Sequence, residues 1–110
     1  MRTIDLGDSG FPSAGMVAAD LLFEEGTLGV RRIRLAAGAR IPPCRMQEDV
    51  VFVVLGGRVT FRSADREAQV SAPGAVFIPG GAVTRSMESH EDSLVLAVLG
   101  RKGRATGDNE

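Results

Sequence analysis

Apolar residues occur along this chain in short segments that alternate with turn-forming residues. No window carries a sustained helical period, and the segments are rich in Val, Ile, Leu, Phe and Thr. This spacing is typical of a sandwich or barrel of short strands, so the sequence predicts an all-β fold. The predicted strands cover residues 16–23, 28–35, 50–55, 58–61, 75–78 and 93–99.

Two glycines at the end of the third predicted strand indicate a tight turn. Gly56 and Gly57 accept the positive φ values of a two-residue hairpin turn, so residues 50–55 are predicted to pair with residues 58–61. We expect residues 1–100 to form one domain. Residues 101–110 are charged with almost no apolar residue, which predicts a flexible C-terminal tail.

Composition narrows the class of protein. The apolar share of 44% and the charged share of 25% are those of an ordinary globular domain. A formal net charge of −1 argues against a nucleic-acid partner. Acidic residues interrupt the N-terminal segment and no later apolar run approaches a membrane span, so we expect a cytoplasmic protein. Cys44 is the single cysteine, which excludes an internal disulfide and a Cys-rich zinc site.

The segment from Gly38 to Gly57 resembles the first motif of the cupin family. That motif has a glycine, five residues, His-x-His, three or four residues, a glutamate, six residues and a second glycine. Gly38 and Gly57 match the two glycines. Cys44 and Met46 take the places of the two histidines, and Val50 takes that of the glutamate.

A second segment resembles the family's second motif, in which Pro-x-Gly-x-x-His follows a glycine. Pro79 and Gly81 match, whereas Thr84 takes the place of the histidine. Glu88 takes the place of an asparagine, and Gly74 lies one residue closer to Pro79 than the motif asks.

The resemblance implies a double-stranded β-helix, the jelly-roll barrel of cupins. It also implies that the four metal ligands of the family are replaced here, because valine and threonine offer a divalent ion no useful donor. We therefore expect no metal and no other cofactor. Family activities that need the metal are not carried over.

If Cys44, Met46 and Val50 point inward as the resemblance implies, strand alternation predicts a mostly apolar cavity that would bind a small organic ligand. The residues expected to line it are Cys44, Met46, Val50, Phe52, Val54 and Phe61, with Val59 beside them and Thr84 and Ser86 as a polar edge. The main hypothesis is accordingly a metal-independent binding module for a small, largely apolar metabolite.

Two other classes of function stay open. A small cupin enzyme, an isomerase or cyclase, would use Cys44, Glu48 or a pocket arginine for its chemistry. A non-standard metal centre is a variant of the enzyme hypothesis, since Cys44 and Met46 are soft ligands that suit Cu(I). Alternatively, a structural or regulatory protein would fill the cavity with its own side chains. We expect Cys44 to be at least partly buried and slow to react.

Four arginines lie near the predicted cavity, and one of them could hold a carboxylate. Alternation favours Ile33 and Leu35 as core, with Arg32 and Arg34 facing outward. Arg31 lies on the same strand, and Arg45 lies between the two former histidine positions.

Apolar residues also occupy the face directed away from the cavity. Val51, Val53 and Leu55 point outward if Val50 points inward, and residues 93–99 are apolar on both faces. Such a patch usually marks an interface, so we expect a homodimer. The alternative is that residues 16–22 cover the patch within one chain.

Overall fold

The computed structural model describes residues 1–6, 10–81 and 84–101. These residues form nine β-strands and no helix. The strands are β1 (Val17–Glu25), β2 (Leu28–Leu35), β3 (Arg40–Arg45), β4 (Asp49–Gly56), β5 (Arg58–Ser63), β6 (Arg66–Ser71), β7 (Gly74–Ile78), β8 (Thr84–Ser89) and β9 (Ser93–Gly100). The predicted all-β class is confirmed.

The strands form two antiparallel sheets. One has five strands in the order β1-β2-β9-β4-β7, and the other has four in the order β3-β8-β5-β6. Strands that are neighbours in sequence often lie in different sheets, as in a jelly roll. The predicted double-stranded β-helix is therefore confirmed.

The core lies between the two sheets and follows strand alternation. Val50, Phe52 and Val54 of β4 are buried, while Val51 and Leu55 between and beyond them are exposed. Phe52 stacks on Phe61 of the facing sheet, with ring centroids 5.1 Å apart. Such an offset pair adds to the stabilisation from burial, so it helps to hold the sheets together.

The predicted hairpin at Gly56 and Gly57 is wrong. β4 pairs with β7 and β9, whereas β5 pairs with β6 and β8, so the two glycines form a corner at which the chain passes between sheets. Gly57 has a φ of 82°, and a Cβ at this position would collide with Ser93 and the backbone of Asp92. The glycine is needed for this close approach as well as for its φ value.

Three strands were not predicted from the sequence. β3 contains Pro42 and Pro43, which lack backbone N–H groups, and it lies at a sheet edge where this is tolerated. β6 is an edge strand with mostly exposed residues. β8 has one apolar residue, Met87, so its apolar pattern is too sparse to indicate a strand.

The N-terminal strand extends a sheet and does not cover its face. β1 pairs with β2 at the edge of the five-stranded sheet, so the alternative in which residues 16–22 cover the patch is wrong. Arg32 and Arg34 do face away from the core, and both contact the carboxylate of Asp20. They also donate hydrogen bonds to the backbone oxygens of Leu6 and Gly10, which fastens the N-terminal segment to the sheet.

The predicted tail falls mostly on residues 102–110, which lie outside the described residues. Arg101 is described, and its backbone N–H donates to the oxygen of Thr27. In the described ranges, no helix is long and apolar enough to span a membrane.

Candidate functional site

A cavity of about 90 Å³ opens between the inner faces of the two sheets. It is several times larger than the space that one water molecule needs, so the described side chains do not fill it. This counts against the hypothesis of a cavity closed by its own side chains. The lining residues are Arg31, Ile33, Ile41, Cys44, Met46, Val50, Phe52, Arg85, Ser86, Met87, Ala97 and Leu99.

The wall of the cavity is mainly apolar. Ile33, Val50, Phe52 and Ala97 come from three adjacent strands of the five-stranded sheet, and all are buried. They lie on one face because alternate residues of a strand point the same way. These side chains would contact the apolar part of an organic molecule.

The prediction that Thr84 lines the cavity is wrong. Arg85 and Met87 are buried on the inner face, whereas Thr84 is exposed on the outer face. Ser86 is half-buried and still reaches the cavity. Met87 is the one apolar residue of β8. It is the signal in the sequence that could have revealed the inner face, because Arg85 and Ser89 lie two residues before and after it and share its face.

Arg85 also lines the cavity, and the sequence analysis missed it. It is 4% exposed and pairs across the strand with Cys44. Its Nη2 atom donates to the backbone oxygen of Glu48 at 2.7 Å. Its Nε and Nη1 atoms are buried and have no hydrogen-bond partner among the described residues, where such atoms are nearly always paired.

The other arginines are arranged differently. Arg31 is exposed and lines the cavity from β2, on the same face as Ile33. Arg32 and Arg34 lie on the opposite face, as alternation predicts. Arg45 is exposed and does not line the cavity. Two cationic groups, one buried and one at the surface, are therefore available to a ligand.

A short loop between β3 and β4 is held against the segment after β7. The Gly80 N–H donates to Asp49 Oδ1 at 2.8 Å, and the Gly81 N–H donates to the backbone oxygen of Met46 at 2.8 Å. A Cβ at Gly80 would collide with the backbone oxygen of Gln47, so glycine permits this approach. These contacts fix the backbone that accepts the Arg85 hydrogen bond.

The two candidate catalytic residues lie in different places. Cys44 lines the cavity but is exposed, so the expectation that it is partly buried is wrong. The edge position of β3 and its irregular pairing between Ile41 and Cys44 leave the thiol at the mouth. Glu48 is half-buried and lines a separate small cleft, while its backbone contacts Arg85.

The remaining predicted ligand-binding residues divide into two groups. Met46, Val50 and Phe52 line the cavity. Val54, Val59 and Phe61 are buried in the core beyond it. Phe61 instead borders a second depression of about 420 Å³ near β6 and β7, whose polar lining residues are exposed or half-buried.

The side chains present do not fit the divalent metal of the cupin family. Cys44, Met46, Val50 and Thr84 occupy the ligand positions that the resemblance assigns. Within the described ranges, no group of three or more His, Cys, Asp or Glu side chains could hold a metal ion. The cation of Arg85 lines the same cavity and would repel a second positive charge.

Solved structures of similar shape give the fold. A protein of unknown function from Rhizobium leguminosarum bv. viciae has a TM-score of 0.78 and 25% identity, covering 93% of this chain and 98% of that chain. A cupin superfamily protein from Desulfitobacterium hafniense has a TM-score of 0.75 and 11% identity, over 83% of each chain. A predicted oxalate decarboxylase from Thermotoga maritima has a TM-score of 0.70 and 19% identity, over 78% of this chain and 81% of that one.

Comparisons of sequence find no counterpart: no family model matches the chain, and no curated protein matches it. The structural neighbours and the two antiparallel sheets nevertheless agree. This chain has the fold of the cupin superfamily.

Proposed function

We propose that this protein is a metal-independent binding module that holds a small, largely apolar organic molecule between its two sheets. The observation that carries the proposal is an unfilled, mainly apolar cavity at the place where the family motif has its metal ligands. Cavities of this kind bind ligands chiefly by removing apolar surface from water.

The volume limits the ligand to a small molecule. About 90 Å³ is roughly the volume that three water molecules occupy in the liquid. A short branched chain is of the right order. Met46 and Met87, which both line the cavity, are unbranched and can repack around different shapes.

The enzyme alternative stays a prediction. Cys44 lies at the cavity mouth, but the Glu48 side chain is not among the lining groups. A base for the thiol would therefore have to come from the ligand or from solvent. Binding is the more economical account of these residues.

Cys44 provides a direct test, because a ligand in the cavity would cover its thiol. The probes are propanoate, 3-methylbutanoate and benzoate, each with its neutral amide. We expect at least one of them to slow modification of Cys44 by N-ethylmaleimide several-fold and to saturate at one molecule per chain. If no probe at tens of millimolar protects the thiol or shifts NMR signals of lining residues, the proposal is wrong.

A cavity-filling variant provides the control. Ala97 is buried and lines the cavity, so Ala97→Leu should remove protection by the probes. Ala75 is exposed on the outer face of the same sheet, so Ala75→Leu should leave protection unchanged. Equal protection in both variants would show that the probe binds elsewhere.

We also propose that the outer face of the five-stranded sheet binds a second copy of this chain. Its central residues are apolar, and Val51, Leu55 and Phe77 are 37%, 41% and 59% exposed. Phe77 pairs with Val51, which in turn pairs with Val98, so the apolar side chains form continuous rows. A two-fold dimer is the commonest way to bury such a face.

A further inference from the structure

Arg85 places an incompletely satisfied positive charge inside an otherwise apolar cavity. Its side chain is 4% exposed, and no acidic group among the described residues forms an ion pair with it. A buried cation without a counter-ion is costly, because water no longer solvates the charge. The arrangement therefore favours a ligand that brings a negative charge.

The guanidinium of Arg85 has two nitrogens free to donate to a ligand. Nη2 is occupied by the backbone oxygen of Glu48, whereas Nε and Nη1 have no partner within the described ranges. In a guanidinium the Nε–H lies on the Nη2 side and Nη1 lies on the opposite edge, so the two unpaired nitrogens donate in different directions. Each of them can donate one charge-assisted hydrogen bond to a carboxylate oxygen.

The surroundings favour an anion beside these nitrogens. Both unpaired nitrogens are shielded from solvent, so water competes little with a charge-assisted hydrogen bond formed there. Met46 and Met87 line the same cavity and can move aside for a small group. Arg31, at the exposed end, adds a second positive charge that attracts an anion toward the mouth.

We propose that the ligand is a small organic acid whose carboxylate is bound by Arg85 and whose apolar body packs against Val50, Phe52 and Ala97. This inference rests on the proposed function and adds the chemical class of the ligand.

The test compares each acid with its own amide, which has the same shape without the charge. Calorimetric titration at pH 7 and low salt should show at least one acid binding tenfold or more tightly than its amide. Arg85→Met should remove this preference, so that acid and amide bind alike. Arg40→Met is the matched control, because Arg40 is an exposed arginine that does not line the cavity, and it should retain the preference.

The outcomes separate this inference from the proposed function. If amides bind as tightly as acids in the wild-type protein, or if the preference persists in Arg85→Met, the acid proposal is wrong while the apolar site stands. If neither acids nor amides bind, both proposals are wrong. The wild-type comparison requires no variant, so the test holds even if Arg85→Met fails to fold.

Discussion

Arg85 is a buried cation. Its unpaired nitrogens are expected to reduce the stability of the protein when no ligand is bound. Two of its nitrogens lack partners within the described ranges, and the bond to the Glu48 backbone oxygen satisfies only part of the guanidinium. A buried charge of this kind costs folding free energy as long as no ligand pairs with it.

Replacing Arg85 by methionine should therefore stabilise the empty protein. Methionine is unbranched and apolar, and we expect Arg85→Met to raise the free energy of unfolding by about 1 kcal/mol, as for other buried charges exchanged for apolar residues. Urea unfolding measures this, with Arg40→Met as a control expected within about 0.5 kcal/mol of wild type. A loss of stability in Arg85→Met would instead mean that the guanidinium is satisfied inside the fold.

Part of the cavity lining could be predicted from the sequence, but Thr84 was assigned to the inner face where the structure has Arg85. Met46, Val50 and Phe52 were predicted at the cavity, because the spacing of the first motif is intact. Arg85 was missed because the second motif assigns the inner position to Thr84. Gly74 lies one residue closer to Pro79 than in the family motif. This difference was the sign in the sequence that the match to the motif shifts by one residue in this segment.

The strands are specified by alternation, whereas their pairing depends on the corners between sheets. β2 was predicted with its observed bounds, and β4, β5, β7 and β9 within one or two residues at each end, because each has clear apolar positions. Gly56 and Gly57 predicted a hairpin, although two glycines are compatible with a tight turn and with a corner between sheets. The contact with Ser93, which lies far away in sequence, distinguishes the corner from the hairpin.

The corner at Gly57 provides a test at this scale. Gly57→Ala should lower the free energy of unfolding by about 3 kcal/mol, since a left-handed φ and a steric collision act together. Gly26→Ala is the control: Gly26 has a φ of 61° but open space around it, so about 1 kcal/mol is expected. Equal losses in chemical denaturation would show that the collision at Gly57 is relieved.

The pairing of β1 with β2 should depend on pH through Asp20. Hydrogen bonding from Arg32 lowers the pKa of this carboxyl below its ordinary value of 3.8, and the charges of Arg32 and Arg34 act in the same direction against partial desolvation. A depressed folded-state pKa stabilises the fold above 3.8, and this contribution is lost as pH falls through the folded-state value.

Asp20→Asn should consequently melt at a lower temperature than wild type at pH 7. The difference should shrink as the pH is lowered below 3.8, because the wild-type carboxylate then becomes protonated. Thermal unfolding at several pH values measures it. A difference that is the same at pH 7 and well below 3.8 would mean that the charge of Asp20 is not what stabilises β1.

At the scale of the whole molecule, the fold followed from the sequence because turn residues, strand lengths and motif spacing all point to one architecture. The oligomeric state is harder to infer, since an apolar outer face can be covered by a second copy of the chain or by another segment of the same chain. β1 extends the sheet edge, which leaves the face around Val53 without cover from that strand.

A charge at this face should disrupt the expected dimer. Val53→Asp would bury an unpaired carboxylate in an apolar interface, so sedimentation velocity should show monomer where the wild type is dimeric. Gln69→Asp adds the same charge on an exposed strand of the other sheet and should leave the dimer intact. A wild-type protein that is monomeric at tens of micromolar would show that no standard-sized interface forms here.

Freshly purified, untagged protein should reveal whether this barrel binds a small organic molecule without a metal. Native mass spectrometry combined with elemental analysis reports bound metal and retained metabolite together. We predict no stoichiometric Fe, Mn, Ni, Zn or Cu, and a small organic acid as the retained molecule. Close to one equivalent of any of these metals per chain, lost in Cys44→Ala or Glu48→Ala, would contradict metal-independent binding.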